Sequence, residues 1–150
     1  MGKYVNLGTR NMEIDIKDEF YVDKSMLIKV LNNKVNKIDR FICVSRPRRF
    51  GKTMAANMIA AYYSKGCDSH GIFSSLKISK DPSFEENINK YTVIQLDMND
   101  VVTNKGPFSV SDYINKVVVA ELRNEYPIVD LEDGITLSDS IKKINLLTRD

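Results

Sequence analysis

The chain has 150 residues, a formal net charge of +2, 43% hydrophobic residues and 28% charged residues. This length suits one domain or part of a larger one, and the composition is that of a folded protein rather than a disordered one. No apolar run approaches the roughly 20 residues needed to cross a membrane, and the first residues lack a secretory or myristoylation signal. We therefore predict a cytoplasmic protein without a membrane partner.

The first half of the chain predicts two helices around a strand. Residues 1–20 are polar and predicted to be irregular. Asp23 is a candidate N-cap for a helix from Lys24 to about Asn32. Residues 40–45 have the apolar pattern of a short buried strand. A long helical pattern then opens at Gly51 and ends near residues 65–66.

The second half alternates in the same way. Residues 67–90 are predicted to be rich in loops, with a short helix after Asp81, and residues 91–96 form a second predicted strand. A helix is predicted from Ser109 or Ser111 to about Asn124, and a last one over residues 137–147. Strands separated by helices predict an α/β fold with a parallel sheet flanked by helices.

Positive charge is concentrated in one segment. Between Lys29 and Lys52, eight lysines and arginines stand against a single acid, Asp39, so this segment carries +7 and the remainder of the chain −5. Such a segment is either a solvated basic face or an anion site. Because the charges are densest at residues 46–52, an anion site is favoured.

The cysteines and the histidine do not predict a metal site. Cys43 and Cys67 lack a metal-ligand spacing, and Cys43 falls in a predicted buried strand. A disulfide is not expected in a cytoplasmic protein. His70 is the only histidine and is predicted to lie in a loop, with no second histidine to complete a site.

A triplet at residues 51–53 matches the end of the phosphate-binding pattern G-x-x-x-x-G-K-[ST]. Gly51 lets the backbone approach a phosphate closely, and Lys52 is predicted to reach the β- and γ-oxygens. The Thr53 hydroxyl is a candidate Mg²⁺ ligand. Backbone N–H groups of the loop and of the first helical turn would surround the β-phosphate. The alternative is a basic strand–helix turn that binds nothing.

The beginning of this loop departs from the pattern. Arg46 replaces the first glycine and does not easily adopt a positive φ, so the turn should differ from the usual one. Pro47 removes a backbone donor. Arg48 and Arg49 either contact phosphates, one of them as an arginine finger, or are exposed charges.

Two motifs together resemble a known family. Residues 21–25 read YVDKS and residues 46–53 read RPRRFGKT. Both are similar, at this separation, to motifs of the bacterial AAA-ATPase-like proteins. Residues 72–78 and 91–97 also resemble segments of that family, so the resemblance covers about residues 4–100.

The resemblance implies an ATPase. It implies ATP and Mg²⁺ as cofactors in a P-loop NTPase fold, with Lys52 as the catalytic residue and Thr53 as the metal ligand. Family members often continue into a nuclease-like domain of the PD-(D/E)XK type, which implies nucleic acid as a partner, and a homo-oligomer is left open. The nucleotide-binding residues implied are Arg46, Pro47, Arg48, Arg49, Phe50, Gly51, Lys52, Thr53 and Met54.

The resemblance also indicates a missing element. Family members carry a Walker B strand ending in an acidic pair, and no such string occurs by Asp150. We therefore expect residues 1–150 to be the N-terminal part of the ATPase domain, with hydrolysis only in a longer protein. A rival interpretation makes residues 93–97 the Walker B strand, with Asp97 or Asp100 at the metal.

Two other functions remain open. The basic segment suits a nucleic-acid-binding module, although aromatic residues do not alternate with the basic ones as a base-stacking surface requires. The other alternative is an interaction scaffold with a degenerate phosphate loop.

Overall fold

The computed structural model describes residues 2–148, which divide into two units. One unit comprises residues 7–93 and contains the loop at residues 46–53. The other is discontinuous in sequence, since residues 2–6 belong with residues 94–148. Each unit has a hydrophobic core of its own.

The unit formed by residues 7–93 is built from short helices around one long helix. Its core is aromatic and aliphatic, with Met12, Ile28, Tyr62, Phe73 and Ile78 fully buried. Its helical segments are α1 (Arg10–Asp15), α2 (Met26–Asn32), α3 (Lys52–Tyr63), α4 (His70–Phe73), a 3₁₀ turn (Lys77–Lys80) and α5 (Phe84–Asn87).

The C-terminal half of α3 anchors this unit. Tyr62 is fully buried, its ring centroid lies 5.6 Å from that of Phe73 and 5.7 Å from that of Phe84, and its hydroxyl donates to the Phe84 carbonyl at 2.8 Å. The Tyr63 hydroxyl donates to Oδ1 of Asn32 at 2.6 Å. Because these contacts fix the far end of the helix, its exposed N-terminal residues are held in a defined place.

The second unit contains α6 (Met98–Asn104), α7 (Val110–Glu125) and α8 (Leu137–Thr148). A carboxylate on α7 holds the N-terminal segment: Glu121 accepts from the backbone N–H groups of Lys3 at 2.9 Å and of Tyr4 and Val5 at 2.8 Å each. Asp100 accepts from the Lys3 ammonium at 2.7 Å and from the Tyr4 hydroxyl at 3.1 Å. These bonds attach residues 3–5, together with a backbone bond from the Gln95 N–H to the Tyr4 carbonyl at 2.9 Å.

The predicted parallel sheet is wrong. Within residues 2–148, strand pairing is limited to isolated bridges, a parallel one between Ser64 and Tyr91 and an antiparallel one between Val5 and Ile94. The predicted strand at residues 40–45 is an exposed extended segment, and no backbone group of residues 41–45 has a hydrogen-bond partner in the described chain. A buried-strand pattern reflects packing against a neighbouring strand, and within residues 2–148 no strand pairs with this segment.

The helix predictions are largely confirmed. The structure has α2 ending at Asn32, α3 following Gly51, and α7 with the Ser109 hydroxyl as its cap, accepting from the Asp112 N–H at 3.1 Å. The cap prediction for Asp23 is wrong: Ser25 occupies the N-cap position of α2 and makes no side-chain cap bond. Sequence patterns did not reveal α1 or α6, which have only 6 and 7 residues.

Candidate anion site at the start of helix α3

The loop before α3 makes its turn at an unexpected residue. Arg49 has φ 68° and Gly51 has φ 73°, both left-handed, whereas Arg46 is not among the described residues with positive φ. A left-handed conformation costs a residue with a side chain roughly 1–2 kcal/mol. The prediction that this turn is unusual is therefore supported, but the strained residue is Arg49 rather than Arg46.

The N-terminus of α3 is uncapped by side chains. Gly51 occupies the N-cap position and has no side chain with which to accept a hydrogen bond. The first N–H groups of a helix lack intrahelical partners and carry the positive end of the helix dipole. A 12-residue helix with a free first turn thus presents donors suited to an anion.

Two lysine ammonium groups donate hydrogen bonds to backbone carbonyl groups of the loop. The Lys52 Nζ donates to the Arg46 carbonyl at 2.7 Å, and the Lys24 Nζ donates to the Phe50 carbonyl at 2.9 Å. Neither ammonium pairs with a carboxylate within residues 2–148. Both positive charges are therefore held at the loop and are not neutralised by the protein.

Two cavities adjoin this loop. The first has a volume of about 370 Å³ and is lined by Lys24, Val44, Arg46, Phe50, Gly51 and Lys52, among others. The second has a volume of about 270 Å³, and its wall includes Tyr21, Phe50, Met54 and Met58. Lys24, Phe50, Gly51 and Ala55 line both. We call them the basic cavity and the aromatic cavity.

The predicted site residues are divided between these cavities. Arg46 and Lys52 line the basic cavity, Arg49 and Met54 line the aromatic one, and Phe50 and Gly51 line both. Pro47, Arg48 and Thr53 line neither cavity and are exposed. Lys24 was not predicted as a site residue, and only its place in the YVDKS motif pointed towards it.

The YVDKS motif has a structural role beside the loop. The Asp23 carboxylate accepts from the Ser25 N–H at 2.8 Å and from the Lys77 N–H at 2.9 Å. Burial acts to raise the pKa of Asp23, but hydrogen bonds from Ser25 and Lys77 outweigh it and hold the pKa below its usual range. The fully buried Ser25 hydroxyl accepts from the Ile78 N–H at 3.1 Å. Asp23 and Ser25 therefore fix the backbone on either side of Lys24.

The protein supplies few metal ligands at this site. No carboxylate lines either cavity, and within residues 2–148 no group of three or more His, Cys, Asp or Glu is arranged to hold a metal. Thr53, the residue predicted as the metal ligand, is exposed at the loop. These residues do not form a metal site by themselves.

The rival Walker B residues have other partners. Asp97 is the N-cap of α6, its side chain accepting from the Asn99 N–H at 2.8 Å. The Asp100 pKa is lowered, chiefly by the Lys3 ammonium that it binds. Both carboxylates thus have structural roles in the unit that contains residues 94–148.

The basic segment is partly neutralised away from the loop. Lys29 pairs with Asp81 at 2.9 Å and, with Ser83, lowers the pKa of Asp81 to about 2. Lys34 pairs with Asp39. Arg40 lies over the Phe41 ring, 4.9 Å from its centroid. Of the eight cations in this segment, those at residues 46–52 have no carboxylate partner in the described chain.

His70 and the cysteines stand apart from both cavities. His70 lies at the start of α4, with Nδ1 2.8 Å from Asp68 and Nε2 3.2 Å from Glu85. Cys67 is half-buried beside Ser64 and Asn89, whereas Cys43 is exposed, contrary to the prediction of a core position. Both cysteines are free.

Comparison with known proteins gives one result about the family. The chain matches the model of the AAA-ATPase-like family, described as predicted AAA-ATPases, over residues 7–146. No curated protein and no solved structure matches the chain. None of the helices described in residues 2–148 is long and apolar enough to span a membrane. Because the match covers nearly all of the sequence, the chain belongs to the AAA-ATPase-like family of predicted AAA-ATPases.

Proposed function

We propose that the chain binds ATP, with the phosphates in the basic cavity at the start of α3. The observation that carries this proposal is the pair of ammonium groups of Lys24 and Lys52, which line one cavity of about 370 Å³ without a carboxylate partner. ATP carries several negative charges, and charge-assisted hydrogen bonds are about twice as strong as neutral ones. Family membership favours the same ligand.

The backbone supports this proposal independently of the lysines. A phosphate at the start of α3 would accept from the free N–H groups of its first turn and interact favourably with the helix dipole. Gly51 has φ 73°, which favours glycine, and its lack of a Cβ keeps the loop open at the same point. In this arrangement Lys52 binds the outer phosphates, as its motif predicts.

The aromatic cavity offers a place for the base. Its wall includes Tyr21, Phe50 and Met54, and flat apolar surfaces of this kind suit a planar heterocycle. Its volume of about 270 Å³ is small for a whole nucleotide, so base and phosphates would occupy different cavities. Burial raises the pKa of Tyr21, with a further contribution from Asp23, so its phenol is neutral at physiological pH.

Magnesium would enter with the nucleotide. Mg²⁺ commonly binds through substrate phosphates and one or two protein groups. The candidate protein group here is the exposed hydroxyl of Thr53, which lies next to Lys52 in sequence and lines neither cavity. When bound, the ion would neutralise phosphate charge. No carboxylate lines either cavity to position an attacking water. We therefore propose nucleotide binding by these 150 residues, with efficient hydrolysis only if further residues join the site.

Titration calorimetry tests this proposal. Wild type, Lys52→Ala and the control Lys17→Ala are titrated with ATP and with ADP, each with Mg²⁺ and with EDTA. Lys17 is exposed and has no side-chain bond in the described chain. We expect Lys52→Ala to weaken ATP binding about tenfold or more, which corresponds to about 1.4 kcal/mol, and Lys17→Ala to bind as wild type does.

Two results would contradict the proposal. One is equal ATP binding by wild type and Lys52→Ala. The other is binding of duplex DNA with a steep dependence on salt and no competition from ATP, which would instead favour a nucleic-acid-binding role for exposed Arg46, Arg48 and Arg49. Turnover typical of an ATPase would contradict the binding-only expectation.

A further inference from the structure

We propose that Lys24 binds the α-phosphate, the phosphate next to the ribose, whereas Lys52 binds the outer phosphates. This inference rests on the proposed function and assigns a role to a residue outside the phosphate-loop motif. If it is correct, the site distinguishes the phosphates of one nucleotide by two lysines on different elements.

The position of Lys24 relative to the cavities carries the argument. Four cations line these cavities: Arg46 and Lys52 only the basic one, Arg49 only the aromatic one, and Lys24 both. A nucleotide with its base in the aromatic cavity and its outer phosphates in the basic cavity must cross the wall that they share. The α-phosphate lies at that crossing, because it joins the nucleoside to the outer phosphates.

The contact between Lys24 and the loop is close. The Lys24 Nζ donates to the Phe50 carbonyl at 2.9 Å, and a Cβ added at Gly51 would lie only 2.7 Å from the same Nζ. Gly51 therefore provides room for the ammonium as well as its own left-handed turn. The carbonyl is a neutral acceptor, so a phosphate oxygen at the same place would make the stronger, charge-assisted bond.

The backbone around Lys24 is held in advance of any ligand. Asp23 accepts from the Lys77 N–H and Ser25 accepts from the Ile78 N–H, so the residues before and after Lys24 are both tied to the 3₁₀ turn. A cation on a fixed backbone loses less freedom on binding than one on a mobile loop. The bonds of Asp23 and Ser25 would therefore favour binding of a phosphate by Lys24, which lies between them.

Ligands of different length separate the two lysines. AMP has only the α-phosphate, so Lys24→Ala should weaken AMP, ADP and ATP by a similar factor, about tenfold. Lys52→Ala should leave AMP binding within about twofold of wild type and weaken ADP and ATP about tenfold or more. A residue that only supports the loop would not produce this contrast between ligands.

The experiment measures the affinities of all three nucleotides by calorimetry for wild type, Lys24→Ala, Lys24→Gln, Lys24→Arg, Lys52→Ala and the control Lys17→Ala. The Lys24→Gln side chain keeps an N–H donor, on a stem one bond shorter, but loses the charge, so we expect it to bind as weakly as Lys24→Ala. Lys24→Arg keeps the charge and should retain most of the affinity. Circular dichroism and urea unfolding of the nucleotide-free proteins check that each variant is folded.

The outcomes separate this inference from the proposed function. If wild type binds no nucleotide, the proposed function fails. If wild type binds and Lys52→Ala shows the expected loss, but Lys24→Ala binds AMP normally, only the inference fails. Wild-type affinity in Lys24→Gln would also overturn it, because a neutral donor would then suffice.

Discussion

The two flanks of the loop at residues 46–53 differ in how they are stabilised. On one side, residues 41–45 are extended and exposed, with the Phe41 side chain 84% accessible and no backbone partner in the described chain. On the other side, α3 buries Tyr62 completely. The difference shows that a helix satisfies its own backbone groups, whereas a strand depends on a neighbour for every hydrogen bond.

The candidate site depends mainly on the packed flank. Gly51, Lys52 and Met54 belong to α3 or its cap, and Lys24 is fixed by bonds to the 3₁₀ turn. The extended flank contributes Val44 to the basic cavity, and the loop itself contributes Arg46. We therefore expect changes to the packed flank to alter both stability and the site, and changes to the extended flank to alter stability little.

Amide hydrogen exchange should show the largest contrast. Amides of residues 41–45 lack partners and should exchange at the rate of an unstructured peptide, whereas amides in the second half of α3 should be protected by about 10³-fold or more. The measurement is exchange mass spectrometry with peptides covering both flanks. Strong protection at residues 41–45 would mean that this segment is paired in solution and that the comparison is wrong.

Matched aromatic truncations give the next contrast. Tyr62→Ala removes a fully buried ring and the hydroxyl that donates to the Phe84 carbonyl, so we expect a loss of about 3–5 kcal/mol in the free energy of unfolding. Phe41→Ala removes an exposed ring and should change that free energy by less than about 0.5 kcal/mol. Urea unfolding followed by circular dichroism measures both. Similar losses in the two variants would contradict the difference between the flanks.

The two cysteines should show a smaller contrast, since Cys43 lies on the extended flank and Cys67 follows the end of α3. Cys43 is exposed on the extended flank, whereas the Cys67 thiol is half-buried, donates to the Ser64 carbonyl at 3.1 Å and accepts from Asn89. We expect a disulfide reagent to modify Cys43 at least about tenfold faster, because access to the thiol limits the reaction. The variants Cys43→Ser and Cys67→Ser assign the two phases, and equal rates would count against the structure here.

The smallest expected effect is the pH dependence that His70 gives to the stability of the unit formed by residues 7–93. Hydrogen bonds that the imidazole donates to Asp68 and, second in effect, to Glu85 raise the pKa of His70 above its usual 6.5. The protonated imidazole therefore stabilises the fold fully below pH 6.5, and this contribution is lost as pH rises through the raised pKa. Because the ion pairs are exposed, we expect about 0.5 kcal/mol or less.

The titration can be measured directly, since His70 is the only histidine. Its ring protons should titrate by NMR above 6.5, and Glu85→Gln should move the midpoint down. The stability difference between wild type and His70→Gln should shrink from pH 5.5 to pH 8.5. A difference that grows over this range would have the wrong sign.

The sequence predicted local features better than long-range ones. The cap at Ser109, the end of α2 at Asn32 and the start of α3 depend on residues close in sequence, and all three are confirmed. The sheet was predicted wrongly because the pattern of residues 40–45 does not show whether a partner strand exists. Likewise, the sequence around Lys24 does not show that its ammonium contacts the Phe50 carbonyl, 26 residues away.

For the candidate site, too, the sequence predicted only features that depend on residues close in sequence. The triplet at residues 51–53 correctly located the start of a helix, and the unusual turn was anticipated from Arg46 and Pro47. The residue with a side chain that adopts the left-handed conformation is Arg49, a position that the departure at Arg46 and Pro47 did not indicate. The sequence does not show that the candidate site has two cavities, because this depends on where the side chains of Tyr21 and Lys24 lie.

The hydrogen bonds from the backbone of residues 3–5 to Glu121 have a consequence for synthesis of the chain. The carboxylate lies 116 to 118 positions after the backbone groups that it binds. At about 5–20 residues per second, a ribosome takes on the order of ten seconds to cover that interval. During this time the backbone N–H groups of residues 3–5 lack the carboxylate that accepts from them in the folded chain, whereas the partners at Ile94 and Asp100 are made earlier.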